Sequence, residues 1–119
     1  MIQYCIFSKG RLLSENFDLG FLKVALYEED VHVWVDAEQP TEEETKTLLE
    51  GVFNFHPLAI EDCVAVSERP KIDQYEGYLF LVMHAVDFQP TAHTFGTTEL
   101  NMFLGKNFLV TFHLSLIHI

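Results

Sequence analysis

The chain has 119 residues and a formal net charge of −11, and 49% of its residues are hydrophobic, including 11 Phe. This composition predicts one globular domain with a packed core and excludes intrinsic disorder. The negative charge excludes nucleic acid as a partner, because its phosphates would be repelled.

Three alternating runs in the first third of the chain predict strands: IQYCIF at 2–7, FLKVALY at 21–27 and VHVWVDA at 31–37. Side chains alternate between the two faces of a strand. In the third run one face therefore carries three valines and the other face carries a mixed set. The valines are Val31, Val33 and Val35, and the mixed set is His32, Trp34 and Asp36.

Two helices are predicted next. Thr41 is a good N-cap, and Glu44 three residues later completes a capping box. The helix dipole accounts for the glutamates at 42–44, so they need no metal. A second, short helix begins at His56–Pro57 and ends at residues 67–70, because the residue before a proline resists the α conformation. The buried stripe of the first helix is predicted to be Leu48, Leu49, Val52 and Phe53.

Two hairpins complete the pattern, with turns at Glu76–Gly77 and at Gly105–Lys106, the latter predicted as type II′. The long run YLFLVMHAVDF is apolar on both faces, which is typical of a central strand covered on both sides. Strands, two helices and further strands predict an α/β fold of packed layers. The four strands of the hairpins cover 71–75, 78–88, 97–104 and 107–113.

Residues that often carry catalysis are scattered along the chain. No serine lies in a nucleophile elbow, no glycine-rich phosphate loop occurs, and no two histidines have metalloprotease spacing. The chain is therefore predicted not to be an enzyme. His56 and Cys63 are a weak zinc pair, and Cys5 and Cys63 are best explained as free thiols. The most apolar run, 78–86, is shorter than the roughly 18 residues of a membrane helix.

Glu61 and Asp62 are adjacent carboxylates on the short second helix. Successive helical residues point about 100° apart, so one of them can pair with Arg69 or Lys71 while the other faces elsewhere. The first interpretation is thus a salt bridge beside a solvated acid. The second is a site for a hard divalent cation such as Mg²⁺, which binds through one or two carboxylates and keeps its waters.

The segment HPLAIED, followed by ERPKIDQYEGYLFLVM, resembles the cytosolic domain of CorA-type magnesium transporters. VWVDAEQPTEEE before it and TTELNMFLGKNFLVTFH after it agree, so the likeness runs from Val31 to His113. The resemblance implies an α/β/α layered sandwich with a mixed, largely antiparallel sheet. It divides the chain into a partial CorA-like N-terminal domain, 1–113, and a tail of unclear origin, 114–119.

The resemblance also implies a function. The chain would be the cytosolic, magnesium-sensing part of a divalent metal ion (Mg²⁺/Co²⁺) transporter, a homopentamer at the cytoplasmic face of the cell membrane. Glu61 and Asp62 would be metal ligands on one side of a regulatory site shared between subunits. Mg²⁺ is the expected ion, with Co²⁺ and Zn²⁺ as alternatives.

The chain departs from the family pattern in lacking membrane helices, a long stalk helix and a Gly-Met-Asn tripeptide. The expectation is a soluble fragment that ends before the pore, reaches the membrane only through missing C-terminal helices and binds Mg²⁺ weakly by itself. Two alternatives stay open: the zinc-transporting branch of the superfamily, and a stand-alone acidic cation-binding module.

Overall fold

A computed structural model describes residues 1–15, 19–65, 69–89 and 94–114. The described residues form strands along both halves of the chain, with the helices between residues 19 and 64. In chain order the elements are β1 Ile2–Ser8, β2 Arg11–Glu15, α1 Leu19–Ala25, β3 Val31–Glu38, α2 Glu42–Lys46 with a π-helical continuation Thr47–Val52, α3 Pro57–Val64, β4 Lys71–Tyr75, β5 Tyr78–Gln89, β6 Thr94–Gly105 and β7 Phe108–His113.

The described strands form one sheet in the order β2-β1-β3-β7-β6-β5-β4. β3 and β7 are parallel, and the other neighbouring strands are antiparallel. The predicted α/β class with a mixed, largely antiparallel sheet is therefore confirmed. The parallel pair at the centre joins the N-terminal strands to the C-terminal hairpins, so the two halves of the chain share one sheet.

The main core lies between one face of the sheet and the helices. Alternate residues of the strands are buried on this face, in keeping with the period of a strand. Leu22 of α1, Leu48 and Leu49 after α2, and Ala59 of α3 are fully buried in the same cluster. The buried strand residues include Tyr4, Ile6, Val33, Val35, Ala37, Phe80, Val82, Phe103, Val110 and Phe112.

The prediction of a strand at FLKVALY was wrong, because residues 19–25 form α1. Leu22 and Ala25 are buried while Phe21 and Val24 are exposed. That is the three-residue spacing of a helix packed along one side rather than the alternation of a strand. The alternation in the sequence was misleading because the helix also exposes two large apolar side chains.

A strand that the sequence analysis did not predict, β2, pairs with β1 through a two-residue turn at Lys9–Gly10. Both turn residues have positive φ, 51° and 76°, as a type I′ hairpin turn requires. Leu12 and Leu13 are adjacent and both largely exposed, so this edge strand lacks the alternation that marks a half-buried strand.

The predicted start of α2 is confirmed. The Thr41 side chain accepts a hydrogen bond from the Glu44 backbone N–H at 3.1 Å, and the Glu44 carboxylate accepts one from the Thr41 N–H at 3.0 Å. These hydrogen bonds hold the pKa of Glu44 below its usual value. Of the predicted stripe, Leu48 and Leu49 are fully buried, while Val52 and Phe53 are partly buried against the core.

Gly105 was predicted to open a type II′ turn, and this was wrong. Gly105 is the last residue of β6, and its φ is not positive. A Cβ at Gly105 would lie 2.3 Å from the Phe108 ring, so the glycine is needed for the close approach of an aromatic side chain. By contrast, the predicted turn at Glu76–Gly77 is confirmed, with Gly77 at φ 87°.

β5 is buried on the helix side, where Phe80 and Val82 are 0% and 2% exposed. On the opposite face Met83 is 47% exposed, and Leu79 and Leu81 are half-buried. Coverage of this strand on both sides therefore does not hold among the described residues, because their helices all pack on one face of the sheet. The tail predicted at 114–119 lies, apart from Leu114, outside the described residues.

Candidate functional site

The N-terminus of α3 is fixed to the β4–β5 hairpin. His56 is the N-cap, and its Nδ1 accepts a hydrogen bond from the Leu58 N–H at 3.0 Å. The His56 backbone N–H donates to the Tyr78 hydroxyl at 2.8 Å, and its ring lies 5.3 Å from that of Tyr75. Burial raises the pKa of Tyr78, although this hydrogen bond acts against the rise. The predicted start at His56–Pro57 is thus confirmed, and His56 has a capping role.

The buried side of α3 packs on the sheet through Ala59 and Cys63, both 0% exposed. The Asn101 side chain of β6, itself 3% exposed, donates from Nδ2 to the Cys63 carbonyl oxygen at 3.1 Å. Burial raises the pKa of the Cys63 thiol well above its usual value, and the Glu99 carboxylate adds to the rise. Because a metal ligand must be the thiolate, Cys63 is poorly suited to bind an ion here.

The two carboxylates singled out in the sequence have different surroundings. Asp62 is half-buried, and its Oδ2 lies 2.6 Å from the Lys71 Nζ at the start of β4. Glu61, the preceding residue, is exposed. The helix therefore directs one acid toward the sheet and the other toward solvent. The described residues therefore show the first interpretation, a salt bridge at Asp62 beside a solvated acid at Glu61, and the cation site stays a prediction.

Lys71 lies between two carboxylates. Its Nζ is 2.6 Å from Asp62 and 3.1 Å from Asp73 Oδ2, and it lies 5.9 Å from the centre of the Phe80 ring. Lys71 and Asp73 are two residues apart on β4, so their side chains leave the same face of the strand. The hydrogen bond to Asp62 is the largest cause that raises the pKa of Lys71 above its usual value. The ammonium is therefore fully charged at neutral pH.

The site residue that the sequence analysis missed is Asp73. Its signal was the alternation in Lys71-Ile72-Asp73, which places a cation and an acid on one face while Ile72, 68% exposed, points to the other. Asn101 was also missed, because its contact with Cys63 joins residues 38 positions apart. Arg69, the other predicted partner of the acids, is exposed.

A second polar cluster lies on the sheet face opposite α3. The Asp36 Oδ1 accepts a hydrogen bond from the Thr111 hydroxyl at 2.7 Å and lies 3.0 Å from the Nε2 of His113, whose side chain is 0% exposed. The Trp34 indole N–H donates to the same Thr111 hydroxyl at 3.1 Å. These contacts tie β3 to β7, so His113 belongs to a structural network within the sheet.

The donors present favour oxygen coordination. Among residues 1–15, 19–65, 69–89 and 94–114, no group of three or more His, Cys, Asp or Glu side chains could hold a metal ion. Mg²⁺, however, needs only one or two carboxylates. Glu61 is an exposed oxygen donor, whereas the Oδ2 of Asp62 is already in contact with the Lys71 ammonium.

None of the helices that the structure describes has the length and apolar character needed to cross a membrane.

Comparison with known proteins gives one family match. A sequence model described as "CorA-like Mg2+ transporter protein" matches residues 29–119. A Bacillus subtilis protein named for metal ion transport, YfjQ, is 49% identical over 81 residues, which are 68% of this chain and 24% of that protein. The cobalt/magnesium transport protein CorA of Thermotoga maritima is 32% identical over 60 residues, 50% of this chain and 17% of that protein.

A solved structure shares the fold. The soluble domain of CorA from Methanocaldococcus jannaschii superposes with a TM-score of 0.68 at 18% identity, covering 98% of this chain and 42% of that one. At this identity the likeness concerns the fold alone. The chain spans about a quarter or less of the two transport proteins above, and less than half of this structure.

Proposed function

The chain belongs to the CorA-like Mg²⁺ transporter family, and from this premise we propose that it is the cytosolic, magnesium-sensing part of a divalent metal ion transporter. The observation that carries the proposal is the family match over residues 29–119, which includes all of α3 with Glu61 and Asp62. Family membership confirms the resemblance seen in the sequence and the prediction that the chain is not an enzyme. The transported ions, Mg²⁺ and Co²⁺, are part of the proposal.

Glu61 and Asp62 would form one side of a regulatory site between neighbouring copies of the protein. Each chain carries a formal charge of −11, so copies in a homopentamer repel one another when no ion is bound. A bound Mg²⁺ supplies positive charge between carboxylates of adjacent copies. Glu61 is exposed on α3, so its carboxylate is accessible to an ion shared with a second copy. An ion that binds the assembled form more tightly shifts the population toward it.

The same argument explains why a single copy should bind Mg²⁺ weakly. Within the chain one acid, Asp62, is held by Lys71, and the other, Glu61, is surrounded by water. An exposed carboxylate gives little net binding energy, because the ion must lose part of its hydration to reach it. Tight binding would require the acids of a second copy. The proposal puts the full-length protein at the cytoplasmic face of the membrane, with further segments that cross it.

The zinc-transporting branch is supported less well by the residues around α3. Zinc prefers imidazole and thiolate ligands. The His56 Nδ1 accepts a hydrogen bond as the helix cap, and the Cys63 thiol is buried with a raised pKa. The carboxylates at 61 and 62 favour Mg²⁺ or, as a second choice, Co²⁺.

A stand-alone cation-binding module is the other alternative, and the source gene distinguishes it from a transporter. We expect the reading frame beyond the codon for His113 to encode two apolar segments of about 20 residues each. A Gly-Met-Asn tripeptide at the end of the first would favour Mg²⁺ and Co²⁺, and a changed tripeptide would favour Zn²⁺. A natural stop codon without such segments would contradict the transport function.

The sensor is tested in the membrane protein that contains this domain, by ion uptake into proteoliposomes at increasing Mg²⁺ on the domain side. The double variant E61Q/D62N should need about tenfold more Mg²⁺ for half-inhibition, since each lost carboxylate removes on the order of 0.5–1 kcal/mol of ion binding. The matched control is E42Q/E43Q, which removes two exposed acids from α2. Equal inhibition curves for the two double variants would refute the site.

A further inference from the structure

The Lys71 ammonium contacts two carboxylates at the edge of the sheet beside α3. The Lys71 Nζ lies within hydrogen-bond distance of Asp62 on α3 and of Asp73 on its own strand, at 2.6 Å and 3.1 Å. The side chains of Lys71, Asp62 and Asp73 are 29%, 29% and 39% exposed, so water and small ions can reach all three. The two acids therefore face a common point that a positive charge already occupies.

The ammonium contacts the Oδ2 of Asp62, so a divalent cation that takes this oxygen must displace it. Lys71 is a single charge on a flexible stem, and it can release one acid while it keeps the other. Asp73 supplies that second partner on the same face of β4. An ion with twice the charge can thus replace Lys71 at Asp62, and the ammonium stays compensated by Asp73 instead of being left without a partner.

We propose that Lys71 sets the divalent-cation affinity of Asp62 by competing with the ion for the carboxylate, and that Asp73 retains the ammonium when the ion binds. This rests on the ion site proposed above and adds its regulation. Lys71 acts through Asp62 and is a positioning residue. It makes the site respond only to ion concentrations high enough to displace an internal cation.

The experiment uses the ¹⁵N-labelled 119-residue chain, titrated with MnCl₂ as a paramagnetic probe at constant ionic strength, with MgCl₂ as competitor. Broadening of the amide signals of residues 61 and 62 reports the apparent Kd at the site. K71M should lower this Kd by about fivefold, the size expected for loss of one half-exposed ion pair. K71R, which keeps the charge, should restore the original value. The matched control is K23M, which removes an exposed lysine from α1.

D73N tests the other half of the proposal, and it leaves the contact between Asp62 and Lys71 in place. Without Asp73 the ammonium is confined to Asp62, so the Kd for Mn²⁺ at residues 61 and 62 should rise by a similar factor. Its control is E76Q, which removes an exposed acid from the turn of the same hairpin. If K71M does not fold, D73N alone tests whether Lys71 competes with the ion for Asp62.

The outcomes separate the competition by Lys71 from the ion site at Glu61 and Asp62. Selective broadening at residues 61 and 62 that K71M strengthens and D73N weakens supports the competition. Broadening there that changes no more in K71M than in K23M, or no more in D73N than in E76Q, overturns the role of Lys71 but leaves the ion site in place. Absence of selective broadening in the original chain and in every variant overturns the competition at Asp62, while the regulatory site shared between copies is decided by the uptake experiment on the membrane protein.

Discussion

Two carboxylates of this chain meet a nitrogen partner under different conditions, Asp62 at the edge of the sheet and Asp36 at its centre. Asp62 contacts Lys71 where both side chains are 29% exposed. Asp36 contacts His113, which is 0% exposed, and also accepts a hydrogen bond from Thr111. The distances are similar, 2.6 Å and 3.0 Å, and the carboxylates are 29% and 20% exposed, so the main difference is the burial of the nitrogen partner.

The burial of the nitrogen partner, complete for His113 and partial for Lys71, decides what each contact can do. When a partner is lost in a dry site, a polar group remains buried without compensation, which costs on the order of 1–3 kcal/mol. At an exposed site water or another ion takes the place of the lost partner. The contact between Asp36 and His113 therefore holds the parallel strands β3 and β7 together. Asp62, by contrast, can exchange Lys71 for water or another ion. An exchangeable acid is what an ion sensor needs.

The largest effect is expected at the central contact. His113→Ala should lower the free energy of unfolding by about 3 kcal/mol, because it leaves a cavity in the sheet and removes a partner of Asp36. Urea unfolding followed by circular dichroism measures the change. His32→Ala is the control, since His32 is exposed on the neighbouring strand β3. A cost for His113→Ala no greater than that of the control would contradict a structural role for the network.

A smaller effect is expected at the edge. Asp62→Asn should lower the free energy of unfolding by at most about 1 kcal/mol, because both partners are reached by solvent and Lys71 keeps its contact with Asp73. Glu61→Gln, one residue away and exposed, should cost nothing measurable. If Asp62→Asn destabilised the chain as much as His113→Ala, the contact would be structural, and the idea of an exchangeable acid would be lost.

The smallest effect concerns the thiol beneath α3. Burial raises the pKa of Cys63 in the folded chain above the value of an unfolded cysteine. The stability that depends on the neutral thiol is therefore fully present below the unfolded pKa and is lost as the pH rises through the folded pKa. Relative to Cys63→Ala, the original chain should lose roughly 0.5 kcal/mol by pH 9 in urea unfolding. Parallel pH profiles for the two proteins would show that the thiol ionises freely.

The features that the sequence determined by itself depend on residues a few positions apart. Thr41 and Glu44 cap each other across three residues, and His56 caps α3 through Leu58. The turn at Glu76–Gly77 follows from one glycine with positive φ. In each case the interacting groups are brought together by the local backbone, so their order along the chain is enough to predict them. The resemblance of HPLAIED and the segment after it then gave the family.

The tertiary structure alone decided the features that depend on distant partners. Residues 19–25 are helical because Leu22 and Ala25 pack into a core built from other elements, and Gly105 is required by the ring of Phe108. The pairing of Lys71 with Asp62 depends on where α3 lies above β4. The sequence offered Arg69 and Lys71 equally as partners, because the distance between a helix and a strand is set by packing and not by spacing along the chain.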